Sequence, residues 1–399
     1  MTDQASFDRA RSLRLQHVLA FGNFIVGMGA FVVVGVLVPI ADAFHMTKAQ
    51  AAFAMTAYAV AYALSSPVLV ALTGRVARRN LLVGSLAVFV LAALLTALSV
   101  SPGMLMASRV LAAIGAGLFT PAAAAVAVST SSPEERPAAL SRVFGGLTLA
   151  QVLGVPVGGY LGYSLGWPSA FIAVAVLGLV AIVCLLRLVP REIPFQPTSL
   201  GALGKVLANP AQLLAVLFST TFLGALYMVY TFLAPLIEFR LEMGGLGVTV
   251  IFAAFGVGAV VGNMVGSALT SRLGAGRTLV LLVSAQVFLL PAMTLLPFNL
   301  MTGVLLTFFW SVCGWSFMVP QQTRLLGLAP QAQSVILALN AAAIYIAASV
   351  GSALGGAAFT YSDLPMVGIF ASFAAMAALV HLLVSLSGKY GSSPAVQAG

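Results

Sequence analysis

Twelve apolar stretches, each about 20 residues long and almost free of charge, recur along the chain between residues 17 and 387. A helix of about 20 residues crosses the roughly 30 Å hydrocarbon core of a bilayer. Strands of a membrane barrel would instead alternate polar and apolar residues in segments of about ten. The composition, 61% hydrophobic and 7% charged, also excludes a water-soluble domain. We therefore predict an all-α polytopic membrane protein with twelve transmembrane helices.

The spacing of these stretches divides the chain into two sets of six. A polar segment with Arg191, Glu192 and four prolines separates the sets. We interpret residues 190–210 as a cytoplasmic linker between an N-terminal six-helix bundle, residues 1–189, and a C-terminal one, residues 211–399. The predicted spans lie near residues 17–42, 50–73, 80–101, 104–129, 140–163, 167–189, 211–237, 246–270, 278–298, 302–327, 334–358 and 365–387.

The basic residues, Arg109 excepted, lie between the predicted spans or at their ends. If the N-terminus is cytoplasmic, only Lys48 and Arg240 lie on the outer side of the membrane. This distribution is expected because short cytoplasmic loops are rich in Lys and Arg. This distribution predicts a multi-pass protein of the cell (inner) membrane with both termini cytoplasmic, and it explains the net charge of +9 without a nucleic-acid partner. The residues assigned to the cytoplasmic side are Arg9, Arg11, Arg14, Arg75, Arg78, Arg79, Arg136, Arg142, Arg187, Arg191, Lys205, Arg272, Arg277, Arg324 and Lys389.

Three short patterns occur once in each half at a nearly constant offset. Each pattern alone is weak evidence for a repeat, because glycine is abundant in membrane helices. Together they occur at matching positions in the two halves, which is typical of transporters built from duplicated halves. The two bundles are therefore predicted to be pseudo-symmetric. The pairs are Leu72–Arg75 with Leu269–Arg272, Gly115 and Pro121 with Gly314 and Pro320, and Gly154, Gly158 and Gly159 with Gly351, Gly355 and Gly356.

Two of these patterns have a structural and a functional interpretation. Gly154, Gly158 and Gly159 let helix backbones approach closely, and Pro156 among them bends the helix. They form either a packing face or a flexing contact between the halves. The basic loop is either a topology anchor or a gate whose guanidinium groups pair with carboxylates or helix C-termini. Its residues are Arg75, Arg78 and Arg79.

Polar side chains inside the spans are the candidate solute-binding residues. Arg109 lies about six residues into a span without an acidic neighbour, and a cation at that depth favours a wet interior over lipid. Amides facing lipid would be poorly satisfied, so convergence on a central cavity is the simpler explanation. Aromatic side chains with a hydroxyl or indole group suit amphipathic organic solutes. The predicted cavity residues are Asn23, Tyr58, Arg109, Gln151, Tyr227, Tyr230, Trp310, Gln321, Asn340 and Tyr345.

No acidic residue lies deep in a predicted span. Asp42 and Glu238 come nearest, each at the outer end of a span, where they are either solvated helix ends or proton sites. His17 and His381 could titrate, but both lie near predicted cytoplasmic ends, and a solvated histidine is the default interpretation. With three histidines and no clustered acids we expect no metal site, no cofactor and no catalytic residues, and hence no enzyme.

These features together resemble the major facilitator superfamily, and within it the twelve-span drug:proton antiporters that include sugar and nucleoside efflux proteins. Leu72–Arg79 resembles the loop between spans two and three, with Gly74 in place of the usual acid and Ala77 in place of the usual glycine. Arg109 and Gly115 resemble the fourth-span motif. The most specific match is the fifth-span antiporter motif, at Gly154–Gly159 with Gly166, Trp167 and Phe171, and a weaker one is Pro320–Gln322 with Arg324, Leu325, Leu339 and Asn340.

The resemblance implies a monomeric secondary active exporter of a small organic solute or drug that works by alternating access in the lipid bilayer. It also implies proton antiport, in which Arg109 acts with Glu238 or Asp42. An uncoupled facilitator and a transporter-like membrane sensor without flux are the alternatives that the residues leave open.

Overall fold

The computed structural model describes residues 2–73, 76–132, 135–191, 193, 200–296, 299–330 and 332–387. Over these ranges the chain is helical and contains no strand. Twelve helical segments there are long and apolar enough to cross a membrane, which confirms the predicted number. Arg75, which carries a predicted gating role, and residues 192 and 194–199 of the predicted linker lie outside the described residues.

The first six spans are built from eight α-helices. Spans 1 to 6 are Ser12–Gly35, Lys48–Val70, Arg78–Ala97, Pro102–Ser129, Ala139–Leu165 and Trp167–Leu188. The helices are α1 (Thr2–Gly35), α2 (Leu37–Ala43), α3 (Lys48–Leu72), α4 (Arg78–Ala97), α5 (Pro102–Ser129), α6 (Arg136–Leu149), α7 (Val155–Leu165) and α8 (Trp167–Leu188), with a π-turn at Ala150–Gly154.

A short helix, α9 (Leu200–Ala208), precedes the second set of six spans. Spans 7 to 12 are Pro210–Leu241, Gly244–Leu273, Ala275–Leu295, Leu300–Leu328, Val335–Tyr361 and Leu364–Leu386. Their helices are α10 (Pro210–Tyr230), α11 (Leu233–Leu241), α12 (Gly244–Leu273), α13 (Ala275–Leu295), α14 (Leu300–Trp315), α15 (Met318–Leu328), α16 (Gln333–Tyr361) and α17 (Val367–Leu386), with a 3₁₀ turn at Leu364–Met366.

Prolines explain where the helices are interrupted. A proline has no N–H for the carbonyl one turn earlier, so the helix loses a bond at that level. The interruption between α1 and α2 precedes Pro39, and that between α10 and α11 precedes Pro235. These two prolines are 196 residues apart, which is close to the offset of the sequence repeats. Pro156 follows the π-turn of span 5, and Pro320 follows the break in span 10.

By packing, the chain divides into two compact units. One contains Met1–Ile40 and Ala61–Pro197, and the other contains Ala41–Val60 and Thr198–Gly399. In the first, span 1 packs against span 5, and span 4 packs against span 3. In the second, span 7 packs against spans 11 and 12, and span 8 packs against span 10. The segment Ala41–Val60, from the first half of the sequence, thus belongs to the second unit.

The repeated glycines form close helix contacts inside each unit. In the first, a Cβ added at Gly154 would lie 2.9 Å from Met28 Cγ of span 1, and one at Gly158 would overlap Val32. In the second, a Cβ at Gly355 would lie 2.6 Å from the carbonyl oxygen of Met228 in span 7. Small residues let helix backbones approach, and the van der Waals contacts that result promote helix association in lipid. The geometry therefore supports the packing interpretation of this motif within each unit.

Two neighbouring glycines in span 5 test this packing directly. A Cβ at Gly146 would overlap the backbone carbonyl of Ala20 in span 1, whereas a Cβ at Gly145 would meet nothing within 4 Å. We expect Gly146→Ala to lower the free energy of unfolding by about 1 to 3 kcal/mol, because backbone cannot move aside as a side chain can. Gly145→Ala is the matched control and should be neutral or slightly stabilising, since alanine is the better helix former. Thermal unfolding of the purified variants in detergent measures both, and equal melting temperatures for the two variants would contradict the prediction.

Candidate functional site

Arg109 is buried inside the first unit and bonds to backbone carbonyls. Only 1% of its surface is exposed. Nη1 donates to the carbonyl oxygen of Gly29 at 2.7 Å, and Nη2 donates to that of Ala30 at 2.9 Å. Its guanidinium carbon also lies 5.8 Å from the ring centre of Phe171. The cation therefore joins span 4 to span 1 beside span 6, and carbonyl dipoles stabilise the charge.

A polar cluster ties spans 1, 4 and 5 together in the first unit. Asn23 donates through Nδ2 to the carbonyl oxygen of Val143 at 3.0 Å. Its Oδ1 accepts from Thr120 Oγ1, also at 3.0 Å. Asn23 is fully buried. Its amide, which the sequence placed at the solute cavity, thus links three helices of one bundle.

The second unit contains a similar cluster in its spans 7, 10 and 11. Ser219 donates to Asn340 Oδ1. Gln321 Nε2 donates to the carbonyl oxygen of Ala215 at 2.7 Å and to Ser219 Oγ at 3.0 Å. These spans correspond to spans 1, 4 and 5 in the repeat. Hydrogen bonds between helices are a source of cohesion in lipid, so two more of the predicted cavity amides contribute to packing.

Gln151 differs from the other three amides. It lies in the π-turn of span 5 and is 5% exposed. Its side chain forms no hydrogen bond with another residue in the part of the chain that the structure describes. Insertions of this π type occur often at functional sites. The hydrogen-bonding groups of Gln151 thus remain available to a solute, whereas Gln321 leaves only its Oε1 without a partner among the described residues.

Aromatic side chains form a continuous group in the second unit, which we call the aromatic group: Tyr227, Tyr230, Phe252, Phe255 and Trp310. The ring centre of Tyr230 lies 5.7 Å from those of Tyr227 and Phe252 and 4.7 Å from that of Phe255. The Phe255 centre lies 5.4 Å from that of Trp310. Spans 7, 8 and 10 therefore contribute one buried set of rings, which includes three of the predicted cavity residues.

Polar atoms adjoin the aromatic group. Trp310 Nε1 donates to Gln286 Oε1 of span 9 at 2.9 Å. Three buried polar atoms, Tyr230 Oη, Gln286 Nε2 and Thr307 Oγ1, have no hydrogen-bond partner among the described residues. Leaving such groups unbonded costs free energy, so they are candidate contacts for a polar solute atom. The sequence analysis missed Gln286, although an amide inside the apolar ninth span is the signal that would have identified it.

Ala41–Val60 contacts spans 7 and 11 within the second unit. Lys48 Nζ lies 4.0 Å from Glu238 Oε2, and Ser352 Oγ donates to the carbonyl oxygen of Ala52 at 3.3 Å. The ring centres of Tyr58 and Tyr345, both predicted cavity residues, lie 6.3 Å apart. Of the two candidate proton sites, Glu238 has Lys48 as a charged partner, and Asp42 is exposed.

The basic loop after span 2 contacts the end of span 6. Arg79 donates to the carbonyl oxygen of Leu186, two residues before span 6 ends at Leu188. A cation near a helix C-terminus is favoured by the helix dipole. Arg78 is buried. One arginine of the predicted gate thus bonds to a helix C-terminus.

No group of three metal-binding side chains occurs over the described ranges. Cys184 and Cys313 are both free thiols.

The fold and these sites define a polytopic helical membrane protein with two repeated six-span halves. A sequence model of the Major Facilitator Superfamily matches residues 19–352, and the chain belongs to that superfamily of membrane transporters. It is 30% identical to the uncharacterized MFS-type transporter YbcL of Bacillus subtilis over 342 residues, which cover 85% of this chain and 87% of YbcL. It is 29% identical to the inner membrane transport protein YdhP of Escherichia coli K12, over 93% of this chain and 95% of YdhP.

A solved structure shares the fold. A bacterial homolog of the human lysosomal transporter Spinster, in an inward-facing and unoccupied conformation, superposes with a TM-score of 0.66. The alignment covers 96% of both chains at 17% sequence identity. The all-helical, twelve-span fold class is therefore confirmed.

Two glutamines separate a packing role from a solute-binding role. We expect Gln321→Ala to lower the free energy of unfolding by about 1 to 3 kcal/mol, since it removes two buried hydrogen bonds between spans. Gln151→Ala should leave stability within about 0.5 kcal/mol of the native value, because its amide has no partner to lose. Equal destabilisation by the two substitutions, measured by thermal unfolding in detergent, would contradict this division.

Proposed function

We propose that this protein is a secondary active exporter of a small, uncharged aromatic organic solute, which it exchanges for protons by alternating access. It acts as a monomer in the cell (inner) membrane, with both termini in the cytoplasm. The aromatic group and its three unpartnered polar atoms are the observation that carries the proposal. Aromatic rings with a few polar atoms are typical of sites for organic ligands.

The placement of charge favours an uncharged solute. The acidic side chains that the structure describes lie at helix ends or in turns, at Asp42, Glu135, Glu238, Glu242 and Asp363. Both Nη atoms of Arg109 bond to carbonyls of span 1. A charged solute would lose its hydration in the membrane and would need an opposite charge to compensate. In the described spans only residues near the ends offer a carboxylate for that purpose.

Proton exchange is supported by the Lys48 and Glu238 ion pair of the second unit. Protonation would remove the charge of Glu238 and with it the attraction to Lys48, so a proton arriving from outside would loosen Ala41–Val60 from span 7. Movement of the solute without protons is the second candidate function. The position of Glu238 in the last turn of its helix, instead of deep in the span, favours that alternative.

Transport into proteoliposomes tests proton exchange. A panel of neutral aromatic solutes that includes N-phenyl-1-naphthylamine is followed by fluorescence or radiolabel, with and without an imposed pH gradient. We expect the native protein to move at least one of these solutes faster with the gradient. Glu238→Gln should reduce the stimulation about tenfold, because a neutral side chain cannot exchange a proton.

Glu242→Gln is the matched control for Glu238→Gln. Glu242 is exposed, lies four residues further along and forms no ion pair with a described residue. This variant should keep the native stimulation. Solute flux that ignores the gradient in the native protein would refute proton exchange and favour the uncoupled alternative. Absence of flux for the whole panel would refute the proposed solute class.

A further inference from the structure

His381 of span 12 is held on both ring nitrogens by span 7. Nε2 lies 3.0 Å from the carbonyl oxygen of Leu214, and Nδ1 lies 3.1 Å from Thr221 Oγ1. The edge of the ring packs against Phe218, with ring centres 6.0 Å apart and planes at 87°. His17 and His45 are both exposed. The histidine interpreted from sequence as solvated is therefore a fixed contact between two helices.

The contacts of this ring suit two protonation states. A carbonyl oxygen only accepts, so Nε2 carries a hydrogen in both states. Thr221 Oγ1 either donates or accepts, and it also lies 3.1 Å from the carbonyl oxygen of Phe218. When the ring is neutral, the hydroxyl donates to Nδ1. When a proton binds Nδ1, the hydroxyl turns to donate to Phe218 and accepts from the ring, so one proton enters while the heavy atoms stay in place.

The charged groups around this ring are cations. Arg324 of span 10 donates through Nη2 to the carbonyl oxygen of Ser385 at 2.9 Å and also to its hydroxyl. Ser385 lies one helical turn beyond His381, and the charge of Arg324 acts on the histidine ring. Arg324 Nη1 has no hydrogen-bond partner among the described residues.

The other helices that pack on span 12 bring no carboxylate. Span 9 begins with the exposed Arg277, span 11 has no charged residue along Val335–Tyr361, and the first turns of span 7 have none. A proton on His381 thus adds a second positive charge beside Arg324, and none of these described helix segments supplies a carboxylate to offset it. Like charges in a partly buried site repel each other.

We propose that His381 is a second proton-binding site of the transporter, in addition to Glu238, and that proton binding there competes with the docking of Arg324 on Ser385. A proton on His381 weakens the attachment of the end of span 10 to span 12, and docking of Arg324 expels the proton. Span 10 also carries Trp310 of the aromatic group and Gln321 of the polar cluster. The competition therefore links proton occupancy to the helix that bears solute-binding candidates. This inference rests on the proposed proton exchange and names a second group, besides Glu238, that takes a proton.

Nuclear magnetic resonance of histidine-labelled protein in lipid nanodiscs tests the binding step. In a His17→Gln, His45→Gln background, the ¹⁵N signals report His381 alone. We expect Nε2 to stay protonated and Nδ1 to gain a proton between about pH 8 and about pH 5. Arg324→Gln should move the midpoint to higher pH by about 0.5 or more, because a neutral side chain no longer repels the proton. A ring that stays neutral throughout, or a midpoint that Arg324→Gln leaves unchanged, would overturn the proposal.

Transport separates this inference from the proposed function. In the proteoliposome assay, His381→Gln should still move the neutral solute down its own gradient but lose most of the stimulation by the pH gradient. His17→Gln, at an exposed histidine, should keep that stimulation. If the native protein is stimulated and His381→Gln is stimulated equally, His381 is not a site of the exchanged proton, and proton exchange through Glu238 stands. If native flux ignores the gradient, proton exchange itself fails, and with it any coupling role for His381.

Discussion

Close contact between helix backbones at glycines is the interaction on which the rest of this structure depends. In lipid, burial of apolar side chains between helices gains little, because the surrounding chains are equally apolar. Association then depends on dispersion contacts at short range and on hydrogen bonds. Gly154 and Gly158 give close contact with the side chains of Met28 and Val32 in span 1, and Gly351 and Gly355 give close contact with backbone carbonyls of span 7. Glycines at matching positions of the two halves therefore make the close helix contacts in both units.

Hydrogen bonding then decides which polar residues remain available for function. A polar group buried in a membrane without a partner is costly, so most such groups serve packing. Asn23, Gln321 and Asn340 bond to neighbouring spans, and Arg109 bonds to carbonyls of span 1. Among the described residues, the unpartnered atoms beside the aromatic group are some of those that this distribution leaves, with Thr231 Oγ1 and Trp315 Nε1 as others. The side chain of Gln151 also forms no hydrogen bond with a described residue. The buried polar atoms without a partner among the described residues are therefore the better candidates for contacts with a solute.

The sequence predicted the fold more fully than the site. Span number follows from the length of the apolar stretches and the placement of Lys and Arg, both of which are set by the bilayer itself. Whether an amide faces a cavity or a neighbouring helix depends on how the helix is oriented about its own axis. The hydropathy of the sequence does not determine that orientation. Asn23 and Gln151 are equally polar residues in apolar stretches, yet Asn23 bonds to two helices, whereas the side chain of Gln151 bonds to no described residue. The contacts of His381 could not be predicted for the same reason, since its partners in span 7 are 160 and 167 residues away.

Direct binding of a neutral aromatic solute to the purified protein tests the central claim, which is that the unpartnered groups recognise an uncharged molecule. Equilibrium dialysis would compare N-phenyl-1-naphthylamine with permanently charged analogues of similar size, using the native protein, Gln286→Leu and Gln151→Ala. Saturable binding of the neutral compound that weakens in at least one variant, without binding of the charged analogues, is the predicted result. Saturable binding of a charged analogue alone, or binding of the neutral compound that neither variant changes, would contradict it.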